Sequence, residues 1–449
     1  MLRSGQVVML CAIALLTIGV VMVSSARMAV HPLDPGADPV AAAAASTVDA
    51  QSIILSRSTA YMCLAVLAMF ATSWLPIRRV ANRLDKVVWF RPAGDAGMLF
   101  LGALLILAVL STVYWPVIGR TVNGSSRWID LRLPGLESVQ PSEIAKWAMV
   151  PLIAWYGARL ASYPDNRLRH FFPGLLPGLV AIAIVAGFIV LEDLGTGFLV
   201  AVVACLILLA AGARLWHFAM FVPMGVAAVA LAIIQSPYRL RRITSFLDPF
   251  ADPQGDGYHM IQSMTTVAGA GPFGRGLGHG LQKFGYLPED TTDFLFAVIC
   301  EELGLAGAAL VLALYAILLW TAVGIIRRTN SLTLKLVGLG VVATVALQAC
   351  INLVVVTGLG PTKGIALPLL SNGGTGWILT AAMLGVLVAI DRPAPVARPA
   401  GPDTDADAAE LDPPPAPQRP RTEPVPEVVV PRTIKPRVRI ALVAQDPSE

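Results

Sequence analysis

Ten stretches of mostly apolar residues run through this chain, at 6–24, 58–76, 97–116, 143–161, 172–191, 195–211, 215–234, 294–322, 335–357 and 367–390. Crossing the hydrocarbon core of a bilayer takes about 20 such residues per helix. A chain that repeats the pattern this often is expected to be an all-α integral membrane protein with about ten transmembrane helices. Composition agrees: 56% of the 449 residues are hydrophobic and 14% are charged, against about 25% charged in a soluble domain. That balance excludes a water-soluble globule and a disordered chain. A net charge of +4 without a dense run of Lys and Arg leaves no electrostatic footprint for nucleic acid. The cysteines Cys11, Cys63, Cys205, Cys300 and Cys350 all lie in apolar stretches. They form neither a disulfide framework nor a metal-ligand spacing, and read as small buried hydrophobes.

Basic residues set the sidedness, because Lys and Arg are retained on the cytoplasmic face. Arg78, Arg79, Arg83, Lys86 and Arg91 separate spans two and three. Arg167 and Arg169 follow span four, Arg214 follows span six, and Arg327, Arg328 and Lys335 separate spans eight and nine. All fall on one side if both termini are cytoplasmic. The first span, within residues 1–26, has Arg3 before it and Ser24-Ser25-Ala26 at its end, as a signal peptide would. Its apolar run from Val7 to Val23 is long for a signal peptide, so an uncleaved anchor is expected. An extracytoplasmic linker is read over 27–57, and a polytopic core over 58–391 with a large external loop at 235–293. Residues 392–449 hold 14 of the 34 prolines, acidic residues from Asp403 to Asp412, and a basic stretch from Arg432 to Arg439. Such a segment cannot bury enough apolar surface to offset its ordering entropy, so it reads as a disordered cytoplasmic tail.

Two external loops carry more polar residues than sidedness needs. The first, from Gly119 to Ser142, contains Arg120, Asn123, Arg127, Trp128, Asp130 and Arg132. Pro141 ends its extended run, and Ser142 is placed to cap a helix beginning at Glu143. Glu143 and Lys146 then share one helical face near the outer surface. Ionisable side chains inside spans are costly and face a protein interior or a wet cavity. The pair is either functional or an ion pair that ties span four to a neighbour.

The second loop opens with Tyr238, Arg239, Arg241 and Arg242, passes a glycine-rich run from Gly269 to Gly280, and closes at Thr292-Asp293-Phe294. Basic residues here run against the positive-inside bias and point to an anionic ligand such as phosphate. Asp293 stands where the loop enters span eight, at the positive end of a helix dipole. It is either a proton acceptor or a plain N-cap. Glu192-Asp193 forms another polar break, and Glu301-Glu302 lie about two turns past Asp293. The five histidines show no ligand spacing, so no metal site is read. Gln348 and Asn352 are polar positions four apart in span nine, ahead of a tight external re-entry that carries Lys363. A transporter that binds substrate with unwound backbone would suit the same pattern.

Taken in order, these motifs resemble the SEDS family (shape, elongation, division and sporulation), membrane-embedded peptidoglycan polymerases that include FtsW and RodA. The resemblance covers residues 97 to 390. It rests on Asn123-Gly124 with Arg127-Trp128, Gln140 to Lys146, Asp193 to Thr196, Asp252 to Gln262, Gly274 to Lys283, Leu287 to Gly304 and Pro361 to Gly374. The Pro-Thr-Lys-Gly form at 361–364 is closer to the division branch, FtsW, than to RodA. The resemblance implies a ten-helix protein of the cytoplasmic (inner) membrane that polymerises lipid II into a growing glycan strand. It also implies a class B penicillin-binding protein, the transpeptidase, as partner, with other division proteins reached through the tail. The family's catalytic aspartate falls on Asp293, and its cavity-lining Glu and Lys fall on Glu143 and Lys146. Departures are Asn372 for the usual Tyr, Thr375 and Gly376 where Ser is common, Thr291 for His, and Glu192 for Pro. They weaken the choice of branch and partner but leave the acidic and basic positions intact.

The chemistry so implied is inverting glycosyl transfer at the outer leaflet. Asp293 takes the proton of the acceptor hydroxyl. Arg127, Lys146, Arg239 and Arg241 are candidates to offset the charge of a polyprenyl pyrophosphate leaving group, Lys146 with the best support. Glu143 would orient Lys146 or tune its charge, and Lys363 is the basic residue of the re-entry and a further candidate for binding substrate. A divalent cation is a candidate assistant with no dedicated site. The rival readings are a lipid II flippase or other transporter, which forms no bond, and a RodA-like polymerase of elongation.

Overall fold

Apolar length and helix breakers together set the elements. The computed structural model describes residues 2–27, 53–86, 94–115, 119–122, 125–133, 136–280, 291–371 and 374–392. Most of the 27–57 linker, Asn123, the 281–290 part of the large loop, Asn372 and the tail from 393 lie outside the described residues. In chain order the helices are α1 (Ser4–Arg27), α2 (Arg57–Ser73), α3 (Ile77–Lys86), α4 (Gly94–Ser111), α5 (Pro141–Ala161), α6 (Leu176–Glu192) and α7 (Leu194–Ala210). They continue with α8 (Leu215–Ile234), α9 (Pro237–Leu247), α10 (Tyr258–Ala268), α11 (Leu295–Arg328), α12 (Leu332–Val356) and α13 (Thr375–Asp391).

Each of the ten apolar stretches is helical over most of its length, and the chain is a multi-pass membrane protein. Among the described residues five segments are long and apolar enough alone to cross a membrane: Ser4–Ala26, Gly94–Tyr114, Phe171–Glu192, Leu295–Arg328 and Leu332–Val356. Helix α2 and residues Ile77–Arg83 of α3 pass the same test together, bent by 60° at the break between them. Helices α7, α8 and α13 are apolar but shorter, and α5 carries Glu143, Lys146 and Arg159 in its 21 residues.

One element departs from an all-helical reading. The segment between α4 and α5 folds into a three-stranded antiparallel sheet of β1 (Gly119–Val122), β2 (Ser125–Leu133) and β3 (Leu136–Val139), in that order. In the sequence Ile129, Leu131 and Leu133 alternate with Asp130 and Arg132, the two-residue period that suits a strand.

Helices α5, α7 and α12 pack on one another at the centre, α6 folds back on α7, α2 lies along α13, and α1 packs mainly on α11 and α13. Helix α8 leaves much of its surface uncovered, with Trp216, Met220, Val222 and Met224 all more than half exposed. At one end of the bundle Gly5 N–H donates to Asp391 Oδ2 at 3.0 Å, Arg328 to Ser4 Oγ at 3.2 Å, and Arg78 to the Ile390 carbonyl at 3.2 Å. The N-termini of α5, α7, α11 and α13 lie at the other end, and the large loop joins them there.

Candidate active site

Pro141 sits at the first position of α5, where its missing N–H leaves nothing unpaired. The helix therefore starts at Pro141, with Gln140 as N-cap, rather than at Glu143 with Ser142 as cap. Its opening turns bring Glu143 and Lys146 to the end of the bundle opposite Asp391 and Arg328. Lys146 is 3% exposed. Its Nζ donates to Glu143 Oε1 at 2.8 Å and Oε2 at 2.7 Å, and to Gln348 Oε1 at 2.9 Å. A buried ammonium is tolerated when it is paired and hydrogen-bonded in this way. Gln348 Nε2 donates onward to the Ala366 carbonyl at 2.9 Å. The polar position in span nine thus links Lys146 to the re-entrant segment.

Asp293 stands one residue before the N-cap of α11, which is Phe294 and makes no side-chain cap bond. Asn352 Nδ2 donates to the Asp293 carbonyl at 2.8 Å and to the Ile365 carbonyl at 2.8 Å, fixing both backbones. Gly364 lies directly against the carboxylate: a Cβ there would sit 3.1 Å from Asp293 Oδ2. A side chain there would require the carboxylate to give by a few tenths of an ångström. The His259 ring stacks on Phe294 with centroids 6.3 Å apart.

A basic rim surrounds the same segment. Arg242 Nη1 donates to the Thr362 carbonyl at 3.0 Å. Arg239 Nη2 donates to the Val190 and Leu191 carbonyls at 2.9 and 3.2 Å, closing the end of α6. Burial pushes the Lys363 ammonium below its ordinary 10.5; Asp193 opposes that shift, and Arg239 and Arg242 add to it. Asp193 caps α7 by accepting from Gly195 N, Thr196 N and Thr196 Oγ1 at 3.0, 3.1 and 2.8 Å. Arg241 instead pairs with Asp256 at 3.4 Å, both well solvated. Arg127 lines a small cavity of ≈ 20 Å³ with Ser142, Glu192 and Asp193, and its buried Nε has no hydrogen-bond partner among the described residues.

The structure therefore brings Asp293, Lys146, Glu143, Lys363 and Arg239 around one segment, 362–366. It adds Arg242 and Gly364, to which the sequence reading gave no role in the chemistry, and turns Arg241 to Asp256. Four helix N-termini face the same region, and their partial positive charges favour an anion there.

Residues 6–394 match the FtsW, RodA and SpoVE family of cell cycle proteins. The chain belongs to this family. A relative from Thioalkalivibrio sulfidiphilus, a probable peptidoglycan glycosyltransferase FtsW, is 38% identical over 85% of this chain and 88% of its own length. A FtsW of the same description from Coxiella burnetii is 35% identical over 85% of this chain and 95% of its own. The stage V sporulation protein E of Bacillus subtilis is 35% identical over 84% and 94%. Among solved structures, a chain of a peptidoglycan synthase complex that coordinates polymerisation and crosslinking superposes with a TM-score of 0.60. It is 25% identical and covers 86% of this chain and 96% of its own. The rod shape determining protein RodA of Thermus thermophilus shares the fold, with a TM-score of 0.54 at 23% identity over 86% and 95% of the two chains.

Proposed function

We propose that this chain is a peptidoglycan glycosyltransferase. It polymerises lipid II into glycan strands at the outer leaflet of the cytoplasmic membrane and serves septal wall synthesis in cell division. One observation carries the reading: a carboxylate and several cations converge on the 362–366 segment. Asp293 lies against Gly364, Arg242 on Thr362, Lys363 beside Asp193 and Arg239, and Lys146 reaches Ala366 through Gln348.

In the reaction the acceptor hydroxyl oxygen attacks the anomeric carbon of the donor, and its proton passes to Asp293. The bond from that carbon to the pyrophosphate oxygen breaks on the opposite face, with inversion. Lys363, Arg239 and Arg242 offset the charge on the leaving pyrophosphate, as positioned cations at a developing anion do. Arg127 offers an unpaired N–H on the neighbouring cavity, and Arg241 an outer charge held by Asp256. Lys146 reaches the pyrophosphate by exchanging one of its present acceptors, with Glu143 orienting it.

Among the described residues no three His, Cys, Asp or Glu side chains gather to hold a metal ion. A divalent cation would therefore arrive with the pyrophosphate, as Mg²⁺ commonly does. The names of the relatives and the crosslinking complex among the fold neighbours support a class B penicillin-binding protein as partner. The positive-inside pattern supports cytoplasmic termini, a large external loop at 235–293 and a cytoplasmic tail at 392–449 open to other division proteins.

Purified protein given labelled lipid II tests the reading. Long glycan products are expected, and Asp293→Asn should reduce them by about 10²–10⁴-fold, as loss of a general base does. Near-normal synthesis by a folded Asp293→Asn chain removes Asp293 from that role. Lipid movement across the bilayer without polymer would instead establish transport.

A further inference from the structure

Helix α11 is broken near its outer end, and the break is filled by the glycine-rich loop. Gly304 has φ 68° and ψ −164°, a backbone state that side chains resist. Leu305 and Ala306 consequently donate not to the turn before them but to the Gly271 and Pro272 carbonyls, at 3.1 and 3.2 Å. The carbonyls they would have used, those of Glu301 and Glu302, accept from Arg275 and Gly276, each at 2.9 Å. Two lost helix rungs are replaced by four bonds to the loop. The outer piece, Leu295 to Leu303, is thereby a short half-helix, and Asp293 stands at its head.

The Glu302 side chain adds a third element to this joint. It is fully buried, at 0% exposure. Its carboxylate accepts the Gly278 N–H at 3.1 Å and the Ser25 hydroxyl at 2.8 and 2.9 Å. Ser25 belongs to the last turn of α1, so one side chain ties α1, the loop and the half-helix together. The neighbouring Glu301 has a different partner, Arg275 at 3.7 Å.

We propose that Glu302 is a positioning residue for glycosyl transfer, holding the half-helix that presents Asp293 at a fixed tilt. The proposal rests on Asp293 being the base. Nine residues span about 13 Å, so a tilt of about 10° at Glu302 moves the head of the half-helix by about 2 Å. Misplacement of about 1 Å is enough to cost roughly 10²-fold in rate.

The test compares Glu302→Leu, Glu302→Gln, Ser25→Ala and, as reference, Asp293→Asn in the full chain, in vesicles with labelled lipid II. Leu keeps the volume and loses both bonds. Gln can accept from Gly278 and donate to Ser25. Glu302→Leu is expected to lower kcat at least about tenfold with KM within about twofold. Glu302→Gln should restore most of the rate, and Ser25→Ala should fall between. Wild-type kcat in Glu302→Leu overturns the proposal, and so does a Gln variant as impaired as Leu, which would make the charge itself the active feature. Should Glu302→Leu fail to fold, Ser25→Ala decides, and an unchanged kcat there overturns the proposal. An active Asp293→Asn chain refutes the base assignment instead, an outcome separate from all of these.

Discussion

Lys146 shares its ammonium protons between Glu143 and Gln348, so removing either charged partner strands the other. Breaking such a buried pair costs about 3–5 kcal/mol. We expect Lys146→Met alone to lower both stability and polymerisation, and the Glu143→Gln/Lys146→Met double variant to fold but remain inactive in the lipid II assay. Recovered polymerisation in the double variant would make the pair purely structural. Lys363 provides a pH test whose two signs differ. Burial lowers its ammonium below 10.5. Between that lowered value and 10.5 the unfolded chain binds the proton and the folded chain does not, so stability rises with pH there. If Lys363 serves the pyrophosphate as proposed, activity falls as pH rises through the lowered value. Lys363→Arg keeps its charge to far higher pH and should move this alkaline limb upward; an unmoved limb assigns it to another group. Glu143, Lys146 and Asp293 were legible because charge is conspicuous beside apolar spans and their motifs are specific. Arg242 and Arg241 were not separable by sequence. Adjacent residues on a helix point about 100° apart, and only the path of the 357–371 segment decides which of them reaches it.

At the scale of elements, breaks were easier to read than their consequences. Glu192-Asp193 marked the division of α6 from α7, and the structure supplies the cap bonds that make it. The 119–139 sheet escaped notice because Arg127, Asp130 and Arg132 read as loop chemistry before they read as alternation. Gly304 was one glycine among many in sequence. Its importance depends on a loop that departs from the helix more than twenty residues earlier. A Cβ at Gly304 would collide with the Gly274 backbone in a conformation that already costs a side chain about 1–3 kcal/mol. Gly304→Ala should therefore lower the temperature of thermal inactivation measurably and depress polymerisation with it. A Gly304→Ala chain with unchanged inactivation would show that the break is not held as described.

For the whole molecule, hydropathy foretold where helices run but not which of them touch. Sidedness follows from the Lys and Arg pattern alone and can be checked with an impermeant thiol reagent on a chain whose native cysteines are replaced by alanine. A cysteine at Gly271, where a side chain meets open space, should react from outside, and one at the exposed Asn330 should not. The reverse pattern would invert the protein and move the proposed chemistry to the wrong leaflet. The packing of α1 carries a further consequence, for the order of assembly. Its buried face, including Val8, Leu15, Leu16 and Met22, rests mainly on α11 and α13, which the ribosome delivers long after it. That helix inserts early and docks late. Closing so long a loop costs little in free energy but delays completion of the bundle. Apart from the part that packs on α2, that face is left during synthesis of α3 to α10 to lipid or another membrane protein, and the nascent chain is open to capture by whatever fits it first.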